Sequence, residues 1–296
     1  MILSQGRFCR VANVYFEEEP GRVDADIVHY IQRAAPVPDS YCSVFCTIVL
    51  NLGREPDALL AAMHRNTRNE IRHGMRKGLR HFAWRNDLLV LERACDFYDR
   101  FGALKGLPPV DRRYLRLLAQ AGQLDLSVVR DGDRDLVWHA YYRTPERVLN
   151  LFSASLFMAH ADPPKRALVG MANRYHTWMD ILMYRQAGTA IFDQGGWYDG
   201  TTDQEKLRIN NFKERFGGTI ARNFDCHRAI TLKGALMVGA RGLFDRLGID
   251  RWKMQLLVRR ALPRRRRRAV DLPPAATRRG LPARPRAARE TPAPHG

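Results

Sequence analysis

The stretch Gly170-Met-Ala-Asn-Arg-Tyr-His-Thr-Trp-Met-Asp-Ile-Leu-Met-Tyr-Arg-Gln-Ala-Gly188 runs straight into Thr189-Ala-Ile-Phe-Asp-Gln-Gly-Gly196. Ten residues later comes Leu207-Arg-Ile-Asn-Asn-Phe-Lys-Glu-Arg-Phe-Gly-Gly218. The first part predicts a helix over about Lys165–Ala187, closed by Gly188 as a C-cap. Thr189–Asp193 then reads as a short strand that delivers Asp193 to a Gly195-Gly196 loop. A second helix is expected over Asp203–Phe216, opened by a capping box from Thr201 or Thr202 with Gln204 or Glu205 and closed by Gly217-Gly218. Helix, strand, glycine loop and helix in this order make a mixed α/β domain, with chemistry expected at the strand's carboxyl end.

Working outward, the chain before this core carries its own strands and helices. Val11–Phe16 reads as a strand, Val23–Ile31 as a short helix, and Tyr41–Leu52, crowded with β-branched residues, as a strong strand. Pro56 opens a helix expected to reach about Arg80, with Leu60, Met63, Thr67, Ile71, Met75 and Gly78 as its apolar stripe. Helices at Leu88–Gly102 and Asp111–Ala121 precede strands at Leu124–Asp131, Asp135–Arg143 and Val148–Phe157. Thr219–Phe224 and Ala229–Leu232 complete the expected strands.

Three segments together resemble the GNAT-like domain of the Fem-type peptidoglycan aminoacyltransferases and their acyltransferase relatives. They are Thr67–Leu79 (Thr-Arg-Asn-Glu-Ile-Arg-His-Gly-Met-Arg-Lys-Gly-Leu), Gly170–Gly196 and Leu207–Gly218, in the family's order and spacing over about residues 45–232. The resemblance implies acyl or aminoacyl transfer to an amine or hydroxyl of a cell-envelope precursor: peptidoglycan, polysaccharide or lipid-linked. It places Lys213, behind Phe212, at the catalytic centre, where a fixed cation stabilises the oxyanion of acyl transfer. Acyl-coenzyme A is one implied donor. Arg166–Ala172 has one residue too many for the usual pyrophosphate loop, so aminoacyl-tRNA and acyl carrier protein stay open as donors.

Other candidates come from position. Asp193, before Gly195 and Gly196, is placed to orient or deprotonate the acceptor. Asn173 and Arg174 are expected near a helix start, suited to a phosphate. Arg72, with Arg68 and Arg76 one turn to either side, is a candidate clamp for a diphosphate. His139 and His176 are weaker base candidates. No histidine motif reads as a metal site, and the five cysteines, including Cys42 and Cys46 on one strand face, read as reduced core thiols.

The domain is expected over 1–234, followed by a basic apolar helical extension over 235–262 and a disordered Arg/Pro/Ala-rich tail over 263–296. The formal charge is +18, and much of it comes from that end, which includes the run Arg264–Arg268. Phe244, Leu247, Trp252, Leu256 and Leu257 among arginines and lysines suggest an anionic membrane surface as partner for 235–268. No run of about 18 apolar residues is present, nor a secretory leader, so a bacterial, cytoplasmic enzyme is expected, with a peripheral seat on the inner face of the membrane as a variant. Two other functions fit the same residues. One is an acetyl-coenzyme A-dependent N-acetyltransferase of a small amine or nucleotide sugar. The other is a catalytically dead RNA-binding or membrane-recruited scaffold, nucleic acid otherwise entering only as a tRNA donor.

Overall fold

The computed structural model describes residues 1–6, 8–159 and 162–247. The tail expected over 263–296, and the part of the helical extension past 247, lie outside the described residues.

Ten strands form one mixed sheet in the order β1-β2-β3-β10-β4-β9-β8-β7-β6-β5. In chain order they are β1 (Ile2–Gln5), β2 (Arg10–Tyr15), β3 (Ile27–Arg33), β4 (Tyr41–Asn51), β5 (Arg80–Arg85), β6 (Leu124–Asp131), β7 (Arg134–Arg143), β8 (Arg147–Ser155), β9 (Ile191–Trp197) and β10 (Thr219–Ala229). Neighbours pair antiparallel except β2 with β3 and β8 with β9. The helices are α1 (Pro56–Ala61), α2 (Arg65–Arg76), α3 (Leu88–Lys105), α4 (Arg112–Gln120), α5 (Pro163–Gln186), α6 (Gln204–Glu214) and α7 (Leu232–Arg246).

Helices cover both faces of the β6–β8 region, which is why β6 is buried along nearly its whole length instead of alternating. On one face Leu91, Ala94 and Phe97 of α3 and Leu115 and Leu118 of α4 pack on Leu124, Leu126, Val128, Trp138 and Tyr142. On the other, Trp178, Ile181 and Tyr184 of α5 pack with Met63, Ile71, Tyr141, Val148 and Phe192. α2 crosses α5 at Gly74, where an added Cβ would come within 2.7 Å of Tyr175.

Four expectations are corrected here. The helix expected over Val23–Ile31 is strand β3, which alternates with Val28, Tyr30 and Gln32 buried and whose partners β2 and β10 supply its ladder. The helix expected from Pro56 to Arg80 is broken into α1 and α2, then ends at Gly78, whose φ of +74° permits the turn into β5. Its buried stripe passes through Gly74, while Met75 is exposed. Two separate strands after Gly218 are one long β10. Cys42 and Cys226 are joined in a disulfide, not held as free thiols: the β4–β10 ladder sets them directly opposite each other, a pairing across 184 residues that the sequence does not display. Cys9, Cys46 and Cys95 are free.

Candidate active site

The parallel pairing of β8 with β9 stops at Leu149 and Asp193. Past that point β8 stays with β7 and β9 stays with β4, so the sheet parts into a wedge. The parting is built by a bulge. Between the pairs Val49–Asp193 and Thr47–Gly196, β9 carries one residue more than β4. Gly195 takes it up with a φ of +73°, and an added Cβ there would sit 2.8 Å from the Asn150 carbonyl oxygen. Only glycine allows both that backbone and the close approach of β8. The expected Gly195-Gly196 loop is therefore a bulge inside a strand.

The wedge opens into a cleft of about 1230 Å³, lined by Asn150, Ser153, Asn173, Arg174, Gln194, Gly195, Gly196, Phe212 and Lys213, with Arg208 and Arg215 adding positive charge and Lys105 paired to Glu205 at 2.6 Å. At its apex lies a small cavity of about 40 Å³ whose walls include His139, Tyr141, Asn150, Ser153, Gln194 and Lys213. Lys213, near the end of α6, donates from Nζ to the carbonyl oxygens of Gly195 (3.1 Å) and Gly196 (2.6 Å). Burial pushes its ammonium down to about 8, partly opposed by the nearby Asp193. Arg174 donates to the Gly170 carbonyl at 2.9 Å and lies over the Phe212 ring at 5.4 Å; burial lowers its pKa as well.

Asp193 is fully buried and does not line the cleft or the cavity. Its carboxylate accepts hydrogen bonds from Thr47 Oγ1, the Gly195 N–H (2.7 Å) and Arg147 (2.5 Å). Arg147 also donates to Gln32 and lies 4.2 Å over Phe16, so one guanidinium ties β3, β8 and β9 together. The carboxylate expected to meet the acceptor thus holds the bulge in shape. Arg72 is exposed on α2 and lines neither space. Arg68 caps the preceding turn through the carbonyls of Ala61 and Met63. Asn173 and Arg174 do line the cleft, but α5 begins at Pro163, so they sit in its interior and not at a helix start.

The group that the sequence left weakest stands at the apex. His139 Nδ1 is 2.8 Å from Asp180 Oδ2, and its Nε2 is 3.1 Å from the Asn173 side-chain oxygen. Asp180, wholly buried on α5, also accepts from Tyr141 (2.7 Å) and His81 (2.8 Å). Burial works to raise the Asp180 carboxyl, but the hydrogen bonds from His139 and His81 hold it well below the usual range. His176 stacks on His139 at 3.8 Å, bonds Ser127, and is driven well below the ordinary histidine value by burial; it lines neither the cleft nor the apex cavity. Asp180 was missed in the sequence, though Asn173, Thr177 and Asp180 step by four and three along one face of α5. Asn150, Ser153 and Gln194 carried no sequence signal, because their role comes from where the strands part.

His81, His176 and Asp180 place ligand-type atoms within 4.8 Å of one another, a constellation able to hold a metal ion. Two ligands of one zinc at about 2.0–2.1 Å stand roughly 3.3 Å apart in a tetrahedron. The 2.8 Å between His81 Nε2 and Asp180 Oδ1 is instead a hydrogen-bond distance.

The chain shares its fold with FemX: 15% identity, a TM-score of 0.51, and coverage of 64% of this chain and 62% of FemX. It thus spans less than two thirds of that protein. Weaker likenesses join it to the C-terminal domain of a putative lysylphosphatidylglycerol synthetase from Agrobacterium fabrum (15% identity, TM-score 0.46, 72% and 71% of the two chains) and to L-PGS from Bacillus licheniformis (12%, 0.43, 73% and 72%). No protein-family model matches the sequence, and no curated protein does. The fold is the GNAT-like, Fem-type one that the three segments resemble.

Proposed function

We propose that this chain is an acyltransferase or aminoacyltransferase that moves an acyl group to an amine or hydroxyl inside the wedge between β8 and β9. One observation carries the reading: Lys213 and the Asp180-held His139 line the same small cavity at the point where the strands part. The acceptor attacks the acyl carbonyl and yields its proton to His139 Nε2. Lys213 stabilises the oxyanion of the tetrahedral intermediate, which collapses with loss of the donor's thiolate or ribose oxygen. Asn173 serves both states of His139: rotating its amide lets it donate to the neutral ring or accept from the charged one. Asp193, through Gly195, keeps the two carbonyls that receive Lys213 in place.

Arg174, Arg208 and Arg215 give the cleft a cationic lining suited to a phosphate-bearing donor, acyl-coenzyme A first, with aminoacyl-tRNA or acyl carrier protein as alternatives. A volume of about 1230 Å³ exceeds the ordinary small-molecule site of roughly 300–1,000 Å³. That gives room for a donor and an acceptor together, the acceptor in this reading being the cell-envelope precursor implied by the Fem-type resemblance.

Calorimetry with acetyl-coenzyme A and longer acyl-coenzyme A tests the donor. One-to-one binding that weakens about tenfold or more in Arg174→Ala is expected. Equal binding by that variant would remove Arg174 from the site, and no binding by the wild type would move the donor to a charged tRNA or a carrier protein.

A further inference from the structure

A surface helix ordinarily turns its apolar stripe inward and its charges to water. α7 instead turns an apolar row outward. Its inner face is held to the domain by glycines and polar contacts. Gly234 is buried so tightly that an added Cβ would lie 2.0 Å from the Asp26 carbonyl oxygen. Gly242 lies against the Tyr41 ring, and Tyr41 donates to Asp245 at 2.9 Å. At 100° per residue, Leu232, Leu236, Gly239, Leu243 and Leu247 fall within an arc of about 80° on the opposite side. Those four leucines are 88%, 76%, 56% and 62% exposed.

Charge is distributed to match. Asp245 is the single acidic residue from Leu232 to Leu247, and it is engaged by Tyr41 and, at 4.0 Å, by Arg241. Arg246 is exposed along the helix, as is Lys233, which pairs with Asp26 at 3.7 Å. In sequence, residues 248–296 follow directly with fourteen Arg and Lys against three Asp and Glu. An outward leucine row among cations, without a free carboxylate, complements a layer that is apolar beneath and negative on top. A second copy of the chain, also at a formal +18, would instead bring like charges together.

We propose that α7 is a lipid-surface helix: its leucine row enters the headgroup layer of an anionic bilayer, and the arginines that follow it in sequence contact the headgroups. Neither the cleft nor its chemistry enters this argument, so the two readings stand or fall separately.

Flotation of the full chain with phosphatidylcholine vesicles, with and without phosphatidylglycerol, tests it. Flotation is expected only with phosphatidylglycerol, and the double variant Leu236→Glu, Leu243→Glu should partition about tenfold or more weakly. A second variant, Gly239→Trp, is placed in the row where nothing lies within 4 Å of an added Cβ. Its added emission should shift to the blue with vesicles and be quenched by brominated lipid, which keeps the test decisive if the double variant does not fold. Equal flotation of wild type and double variant would show that the arginines act without the leucines and overturn the proposal. So would an unquenched tryptophan, or a wild type that does not float. A wild-type dimer made monomeric by the glutamates would assign the row to a second copy, also against it.

Discussion

Replacing Lys213 by methionine keeps an unbranched apolar stem but removes the ammonium that points at the Gly195 and Gly196 carbonyls. An unfolded lysine keeps its proton to about pH 10.4, whereas burial pushes Lys213 down to about 8 in the folded protein. Between these values the unfolded state binds more protons. The unfolding free energy of the wild type should therefore rise with pH across that window, by about 1.4 kcal/mol per pH unit. Below pH 8 the whole cost of the buried charge is present, about 3 kcal/mol before water at the cleft mouth reduces it. The methionine variant has no such slope. Tyr141 and Tyr184, raised well above the ordinary tyrosine value by burial, are common to both proteins and cancel in the difference. Urea unfolding followed by circular dichroism at pH 7.5 and pH 9.5 reads the effect. The wild type should gain about 2 kcal/mol relative to the variant between the two. Near pH 7 the variant should be no less stable, because two lost hydrogen bonds at about 1 kcal/mol each are offset by the relieved charge. Parallel stability curves would refute the account of Lys213 as a cation held in place at a cost in stability.

Two further substitutions probe the supports of the site. Arg147→Met leaves the wholly buried Asp193 without its guanidinium, so a loss of about 3–5 kcal/mol is expected in urea unfolding at neutral pH. Restoring much of that loss with Asp193→Asn in the same chain would identify the stranded charge as its cause. Asp180→Asn removes the charge shared by His139, His81 and Tyr141. The wild type, whose Asp180 carboxyl is held well below its usual value, keeps that stabilisation above about pH 4 and loses it as pH falls through the depressed folded value. The variant should lack this part of the acid transition, which a thermal-melt series from pH 7 downward would show.

Local signals made much of the fold legible. The periodicity of α5, the β-branched run of β4, and glycines at the ends of α5 and α6 all mark their elements within a few residues. β3 failed because its state is decided by partners far off in sequence: the Gln32 amide donates to Asp225, 193 residues away. β5, an edge strand of alternating character directly after a helix, carries too few residues to break a helical reading of what precedes it. In the site, the identities of Lys213, Phe212, Arg174 and Asn173 could be read because they stand in segments with a recognisable pattern. The difference between Asp193 and Asp180 could not. Both are aspartates near aromatic residues, and what separates them is whether arginine or histidine meets them across the sheet.

The strand order carries a consequence for how the chain comes to be folded. β3 and β4 are consecutive in sequence, yet β10 lies between them. During synthesis β1–β3 and the block from β4 to β9 must therefore wait, each with an unsealed edge, until residues 219–229 have emerged. Only then can Phe224 meet Arg33 on one side and Val44 on the other. Such edges invite pairing with other chains. A ribosome stalled shortly before β10 should hold a nascent chain that binds chaperones, and extension far enough for Ala229 to emerge should release it.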